Sequence, residues 1–119
     1  MDKNPLKKPY DLEERTLQYS KDVISLVSKA PKSLSNIEIA KQLIRSSGSV
    51  GANYIEANES LGKKDFVMHA RIARKEAKES RYWLQLTECN DYLHSLRDQL
   101  IQESTELLKI FSKIIEKST

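Results

Sequence analysis

Residues 43–87 read LIRSSGSVGANYIEANESLGKKDFVMHARIARKEAKESRYWLQLT and contain two helical patterns joined by a short polar link. In the second pattern, apolar and small side chains recur at alternate steps of four and three: Phe66, Ala70, Ala73, Ala77, Ser80, Leu84 and Thr87. The first pattern shows the same alternation: Leu43, Ser47, Val50, Tyr54, Ala57 and Leu61. This spacing is typical of one helix face packed against neighbouring helices. Because both faces are rich in Ala, Ser and Gly, we expect these two helices to pack closely together.

The stretch from Ser46 to Gly51 has weak helix propensity, and two interpretations of it remain open. Each glycine costs about 1 kcal/mol relative to alanine inside a helix, so the helix could break here into a loop. It could also continue, with small residues allowing close contact with a neighbour. The alternation of four and three passes through the stretch unshifted and favours continuation. A phosphate-binding P-loop is excluded, because the Gly-Lys-Ser/Thr ending and a preceding strand are missing.

The whole chain fits one helical domain. A length of 119 residues suits a single core, and no proline follows Pro31. Residues 1–10 are expected to form a flexible basic arm, and Asp11 to cap the first helix. Ser35 and Glu38 fit a capping box at the start of the second helix. We predict helices over about residues 11–30, 34–60, 64–88 and 95–116. Short links between them predict an all-α, up-and-down antiparallel four-helix bundle over residues 11–117.

Several function classes find no support in the sequence. The single cysteine, Cys89, allows no intramolecular disulfide and no cysteine-based zinc site. The N-terminus does not resemble a signal peptide, and no window is apolar enough to span a bilayer, so a cytoplasmic protein without a membrane partner is expected. No nucleophile, base and orienting group converge, so we expect a protein that is not an enzyme and binds no cofactor.

Two glutamate pairs on adjacent predicted helices invite comparison with di-iron bundles. Such bundles use Glu-x-x-His motifs, and neither histidine has a glutamate three residues before it. We therefore expect no metal site. The glutamates at 56, 59, 76 and 79 are instead expected to pair with Arg71, Arg74, Lys75 or Lys78 or to help set helix register. Asn53 and Glu56 are expected to be partly buried polar groups that specify helix pairing.

The basic surplus lies on the third predicted helix. The chain has a net charge of +3, and residues 63–81 contain seven basic and three acidic residues. The basic ones are Lys63, Lys64, Arg71, Arg74, Lys75, Lys78 and Arg81. A solvated helix face and a phosphate-binding face are both compatible with this pattern, and oligomerisation would favour the second by multiplying the patch. Tyr82 and Trp83 are expected in the core or at a subunit interface.

Three motifs carry a family resemblance. They are QLIRSSGSVGANYIEA at residues 42–57, KKDF at 63–66, and Ile72-Ala73 followed by Glu79. The chain resembles the bacterial four-helix-bundle family of 23S ribosomal RNA intervening-sequence proteins. On this resemblance, the structural motif comprises Arg45, Gly51, Asn53, Glu56 and Phe66, and the bundle assembles into a homopentamer. The chain is also similar to the accessory variability protein of diversity-generating retroelements, a basic pentameric barrel that binds nucleic acid and partners a reverse transcriptase.

Two functional hypotheses follow. In the first, a non-enzymatic homo-oligomer binds RNA or DNA, with the five cations at 71, 74, 75, 78 and 81 contacting phosphates and Lys63 and Lys64 at the mouth. In the second, the chain is a structural assembly or a protein-interaction module. Its basic face would then pair with an acidic protein partner or with a neighbouring subunit.

Overall fold

A computed structural model describes residues 12–119 as four helices that run alternately up and down. They are α1 (Leu12–Lys29), α2 (Leu34–Asn58), α3 (Lys63–Leu86) and α4 (His94–Ser118), and a 3₁₀ turn, Asp91–Leu93, precedes α4. The predicted all-α antiparallel four-helix bundle is confirmed. The predicted basic arm, residues 1–10, and the predicted cap Asp11 lie outside the described residues. None of the described helices is long and apolar enough to cross a lipid bilayer.

Helix α2 continues without a break through the glycine-containing stretch, as the alternation predicted. Gly51 shows why a small residue is needed, because a Cβ there would lie 2.9 Å from the Thr16 Oγ1 atom of α1. The close contact with a neighbouring helix that we expected of this stretch is therefore confirmed at Gly51, and the neighbour is α1. Gly48 is different, because it is exposed and a Cβ there would meet nothing within 4 Å.

Helices α2 and α3 pack through small side chains. The fully buried Ser80 hydroxyl donates a hydrogen bond to the Ser46 hydroxyl at 2.8 Å, and Ala70, Ala73 and Ala77 of α3 are fully buried. The predicted face of α3 is thus confirmed from Ala70 to Thr87. On α2 the predicted face is buried except for Leu61, which is fully exposed. Leu61 was assigned wrongly, because α2 ends at Asn58 and the residue lies in the link to α3.

A hydrogen bond between buried hydroxyls connects α1 with α4 inside the bundle. The Tyr19 and Ser104 hydroxyls lie 2.5 Å apart, and Ser104 donates to the Leu100 carbonyl, so Tyr19 is the donor to Ser104. Tyr19 is 1% exposed. This burial raises the pKa of the Tyr19 hydroxyl, against the opposing effect of hydrogen bonds with Ser104 and Ser80. A partly buried ion pair also joins these two helices: the Arg15 guanidinium of α1 donates two hydrogen bonds to the Glu103 carboxylate of α4, at 2.6 and 2.8 Å.

A buried asparagine, Asn36, connects the α1–α2 link with the C-terminal end of α3, and the sequence analysis did not predict it. The Asn36 amide donates to the carbonyls of Pro31 and Glu88, and its oxygen accepts from the Glu88 backbone N–H. It therefore joins the α1–α2 link to the end of α3. The predicted capping box of Ser35 and Glu38 was wrong. Ser33 caps α2 by accepting a hydrogen bond from the Asn36 backbone N–H, so the helix begins one residue before Ser35.

Alanine substitutions at the two glycines of α2 should change stability in opposite directions. Gly48→Ala should raise the free energy of unfolding by about 0.5–1 kcal/mol, because alanine has the better helix propensity. Gly51→Ala should lower it by about 1 kcal/mol, because overpacking against buried Thr16 outweighs that gain. Urea denaturation at one chain concentration measures both, and a stabilised Gly51→Ala variant would contradict the assigned contact.

Stability should fall at alkaline pH because of Tyr19. The folded state raises the pKa of this hydroxyl above the ordinary value of 10.0, so the unfolded chain releases the proton first. The contribution of the Tyr19 hydroxyl to the free energy of unfolding is therefore fully present below about pH 10 and is lost as the pH rises above that value. Tyr19→Phe should cost about 1 kcal/mol at neutral pH through the lost hydrogen bond. In urea denaturation between neutral and alkaline pH, the advantage of the wild type over Tyr19→Phe should shrink; parallel curves would contradict the assignment.

Candidate nucleic-acid interface

Helix α3 carries opposite charges on its two flanks. Its buried face of Ala and Ser residues lies in the core, and the flanks on either side of that face border α2 and α4. The side chains of Arg74 and Arg81 reach hydroxyls of α4, whereas those of Glu76 and Glu79 reach Arg45 of α2. The packing of α3 therefore directs Arg74 and Arg81 away from Glu76 and Glu79, whereas the charge of Lys75 lies close enough to Glu79 to help lower its pKa.

The cations border a shallow groove between α3 and α4. It has a volume of about 400 Å³ and is lined by Arg71, Arg74, Lys75, Lys78, Leu108 and Ser112. Four of these six residues are basic and none is acidic. Arg71, Lys75 and Lys78 are exposed, and Arg74 is half-buried. Such a groove offers a row of positive charge to an anionic ligand.

Two arginines of this row are held in place by α4. The Arg74 guanidinium donates to the Ser112 hydroxyl at 3.4 Å, and the Arg81 guanidinium donates to the Thr105 hydroxyl at 3.1 Å. Neither bond neutralises the charge, because both acceptors are hydroxyls. Arg81 lies one turn beyond Lys78 and extends the row outside the groove lining.

The two predicted lysines at the start of α3 differ in position. Lys64 lines a second shallow surface of α3 together with Arg71 and Lys75, which also line the groove. Lys63 is exposed and lines neither surface. We define the basic face as Arg71, Arg74, Lys75, Lys78 and Arg81, with Lys64 at its edge.

Glu76 and Glu79 form their ion pairs with Arg45 of α2, whereas we had predicted that they would pair with cations of α3 or help set helix register. The Arg45 guanidinium donates a hydrogen bond to Glu79 and lies 3.5 Å from a Glu76 oxygen. Trp83 Nε1 donates to the same Glu79 carboxylate at 3.0 Å. This Trp83 bond, with further contributions from the charges of Arg45 and Lys75, holds the pKa of Glu79 below its usual value. Glu76 is 8% exposed, so Arg45 supplies the countercharge to a nearly buried carboxylate.

Comparison with known proteins identifies the family. The profile of the 23S rRNA-intervening sequence proteins matches residues 9–113, which is most of the chain. The chain belongs to the 23S rRNA-intervening sequence protein family. It is also similar to the crystal structure of a protein of unknown function from the S23 ribosomal protein family of Bacteroides thetaiotaomicron. That similarity has a TM-score of 0.76 and 30% identity, and it covers 87% of this chain and 96% of the other. No curated protein matches the chain.

Of the motif residues, Arg45 and Asn53 contact α3, whereas Gly51 faces α1. The half-buried Asn53 donates to Ser49 and lies 3.3 Å from His69 Nδ1, so it links α2 to α3. Phe66 is half-buried in the first turn of α3. Glu56 is exposed, which contradicts our expectation of a partly buried carboxylate. The nearly buried carboxylate of this surface is that of Glu76.

The described part of this family member contains no group of three or more His, Cys, Asp or Glu residues placed to hold a metal ion. Cys89 is half-buried against the core, and burial raises the pKa of its thiol. A thiol with a raised pKa is a poor nucleophile at neutral pH. Tyr82 is exposed and Trp83 is half-buried, and their rings stack edge to face at 5.1 Å.

Protonation of Glu79 should be visible in the fluorescence of Trp83, the only tryptophan. Because the pKa of Glu79 is lowered, its stabilising contribution is present at neutral pH and is lost only as the pH falls below 4.5. An acid titration should show a fluorescence transition with a midpoint below 4.5. Glu79→Gln should abolish this transition, and Glu59→Gln, a change at an exposed glutamate, should keep it. A transition that persists in Glu79→Gln would contradict the assignment.

Proposed function

We propose that this protein is a non-enzymatic helical bundle of the cytoplasm that assembles with further copies of itself and binds RNA or DNA through the basic face of α3. The observation that carries the proposal is the groove with four basic lining residues and no acidic one. Lysine and arginine side chains that neutralise phosphates supply most of the sequence-independent affinity of a protein for nucleic acid. The pentamer implied by the family resemblance is the assembly we propose.

The way in which the charges of α3 are paired favours a phosphate-binding face over a helix face that is only solvated. On a solvated helix, carboxylates three or four residues away commonly offset the cations. Here Glu76 and Glu79 pair with Arg45 on the other flank, and within the basic face it is Lys75 whose charge acts on Glu79. Three exposed cations per chain make a weak binding site, and several copies in one assembly would add their contributions.

Charge reversal in the basic face should abolish most of the nucleic-acid affinity. Arg74→Glu combined with Lys78→Glu removes two candidate phosphate contacts and adds repulsion, so the affinity for a short labelled RNA hairpin should fall by about tenfold or more. Both side chains lie on the surface of α3, and the variant should remain folded by circular dichroism. Filter binding with RNA and with DNA of the same sequence compares the two nucleic acids.

The matched control reverses two exposed lysines on other helices, Lys21 on α1 and Lys113 on α4. This variant has the same net charge as the test variant and should keep the wild-type affinity. Wild-type affinity should also fall steeply from low to physiological salt. The slope of log affinity against log salt should be shallower by about 1.4–1.8 in the test variant, in which two contacts are lost. Equal affinities in both variants would refute phosphate binding at this face and favour the structural or protein-interaction role.

A further inference from the structure

A small pocket lies between the end of α1 and the first half of α2, with the end of α3 beside it. Its volume is about 210 Å³, and most of its inner surface is apolar. Five of its apolar lining residues are Val27, Ala30, Ile37, Ala40 and Ile44. A concave site of apolar side chains with a few polar groups is the usual form of a small-molecule site. The pocket shares no residue with the basic face of α3.

Hydrogen bonds of Asn36 hold the segments that form this pocket. The Asn36 side chain is 4% exposed and lines the pocket together with Thr87 at the end of α3. It bonds to the Pro31 carbonyl and to the backbone of Glu88, so it connects the α1–α2 link with the end of α3. The pocket is therefore formed before any ligand binds, and such preorganisation lowers the entropic cost of binding.

Two lysines carry the only charges among the residues that line the pocket, so the lining is positive. The Lys32 ammonium donates to three backbone carbonyls at the end of α1, and these belong to lining residues: Val27, Ser28 and Ala30. This places the ammonium at the α1 wall, and carbonyls do not neutralise its charge. Lys41 pairs with Glu38 at 3.2 Å, but both side chains are 66% exposed, so this ion pair is weak.

The size and the charge of the pocket define the ligand that it would take. A volume of about 210 Å³ holds about seven groups of roughly 30 Å³, the space that one water molecule occupies in the liquid. A methylene group needs about the same space. We infer that this pocket binds a medium-chain carboxylate, with an alkyl chain of about seven carbons against the apolar walls and the carboxylate beside Lys32.

Three ligands with the same alkyl chain and different head groups test the charge of the site. In isothermal titration calorimetry at neutral pH, octanoate should bind the wild-type protein with a Kd of about 1 mM or below. Octan-1-ol should bind about tenfold or more weakly, because it forms no charged hydrogen bond with Lys32. Octylamine should bind more weakly still, because its ammonium is repelled. Equal affinities for the three ligands would overturn the inferred carboxylate contact.

A series of carboxylates of increasing length tests the size of the site. From hexanoate to octanoate, each added methylene should strengthen binding by up to about fourfold, which is the gain for a fully buried methylene. Decanoate should gain little more, because the pocket is then full. A gain that continues unchanged to dodecanoate would overturn the pocket and indicate adsorption to exposed apolar surface.

Two substitutions separate the contact with the alkyl chain from the contact with the carboxylate. Ala40→Leu fills the pocket and should abolish the binding of octanoate and of octan-1-ol, with the helix content unchanged by circular dichroism. Lys32→Gln should weaken octanoate binding by about tenfold and leave octan-1-ol binding unchanged. Lys21→Gln, at an exposed position of α1 outside the pocket lining, is the control and should keep both affinities.

The unequal response of the two ligands distinguishes ligand contact from a structural role of Lys32. If Lys32 only stabilised the end of α1, Lys32→Gln would change the binding of octanoate and octan-1-ol by the same factor, and the inferred contact would be wrong. Failure of octanoate to bind the wild-type protein at millimolar concentration would overturn the inference as a whole. Either result would leave the proposed nucleic-acid function standing, because that function depends on a different surface.

Discussion

The hydrogen bond between the buried hydroxyls of Ser46 and Ser80 requires α2 and α3 to lie closer than leucine side chains would allow. The alanines of α3 meet the same requirement, because they fill little space between the helices. A helix that buries such small side chains keeps its longer ones on the two flanks, next to α2 and α4. The close packing of α2 and α3 therefore places Glu76 and Glu79 beside α2 and Arg74 and Arg81 beside α4.

The separation of charge on α3 depends on a single arginine of α2. Arg45 pairs with Glu79 and supplies the countercharge to Glu76, so both carboxylates are engaged on the flank facing α2. The Arg45 side chain is about half exposed, and an exposed ion pair contributes at most about 1 kcal/mol to stability. The larger effect of Arg45 is on the charge pattern, because Glu76 and Glu79 pair with it and leave Arg74 and Arg81 to bond with hydroxyls of α4.

The repeating spacing of small and apolar residues was sufficient to predict four helices, the antiparallel bundle and the continuity of α2, because helical periodicity is encoded locally. Partners distant in sequence could not be predicted in this way. Thr16 lies 35 residues before Gly51, and only the packing of α1 on α2 shows why that glycine is needed. Likewise, Glu76 and Glu79 have cations three or four residues away on α3, but their ion pairs are formed with Arg45 of α2. The basic residues themselves were identifiable from their spacing, but their common groove with Ser112 of α4 required the structure.

The small number of exposed cations explains why assembly and ligand binding should depend on each other. Each phosphate contact steepens the slope of log affinity against log salt by about 0.7–0.9. The few contacts of one chain would therefore give only weak binding at physiological salt. In an assembly, a strand held by one groove meets the next at high effective concentration, and the affinities multiply instead of adding. This gain requires the grooves of neighbouring copies to lie within reach of one nucleic-acid strand.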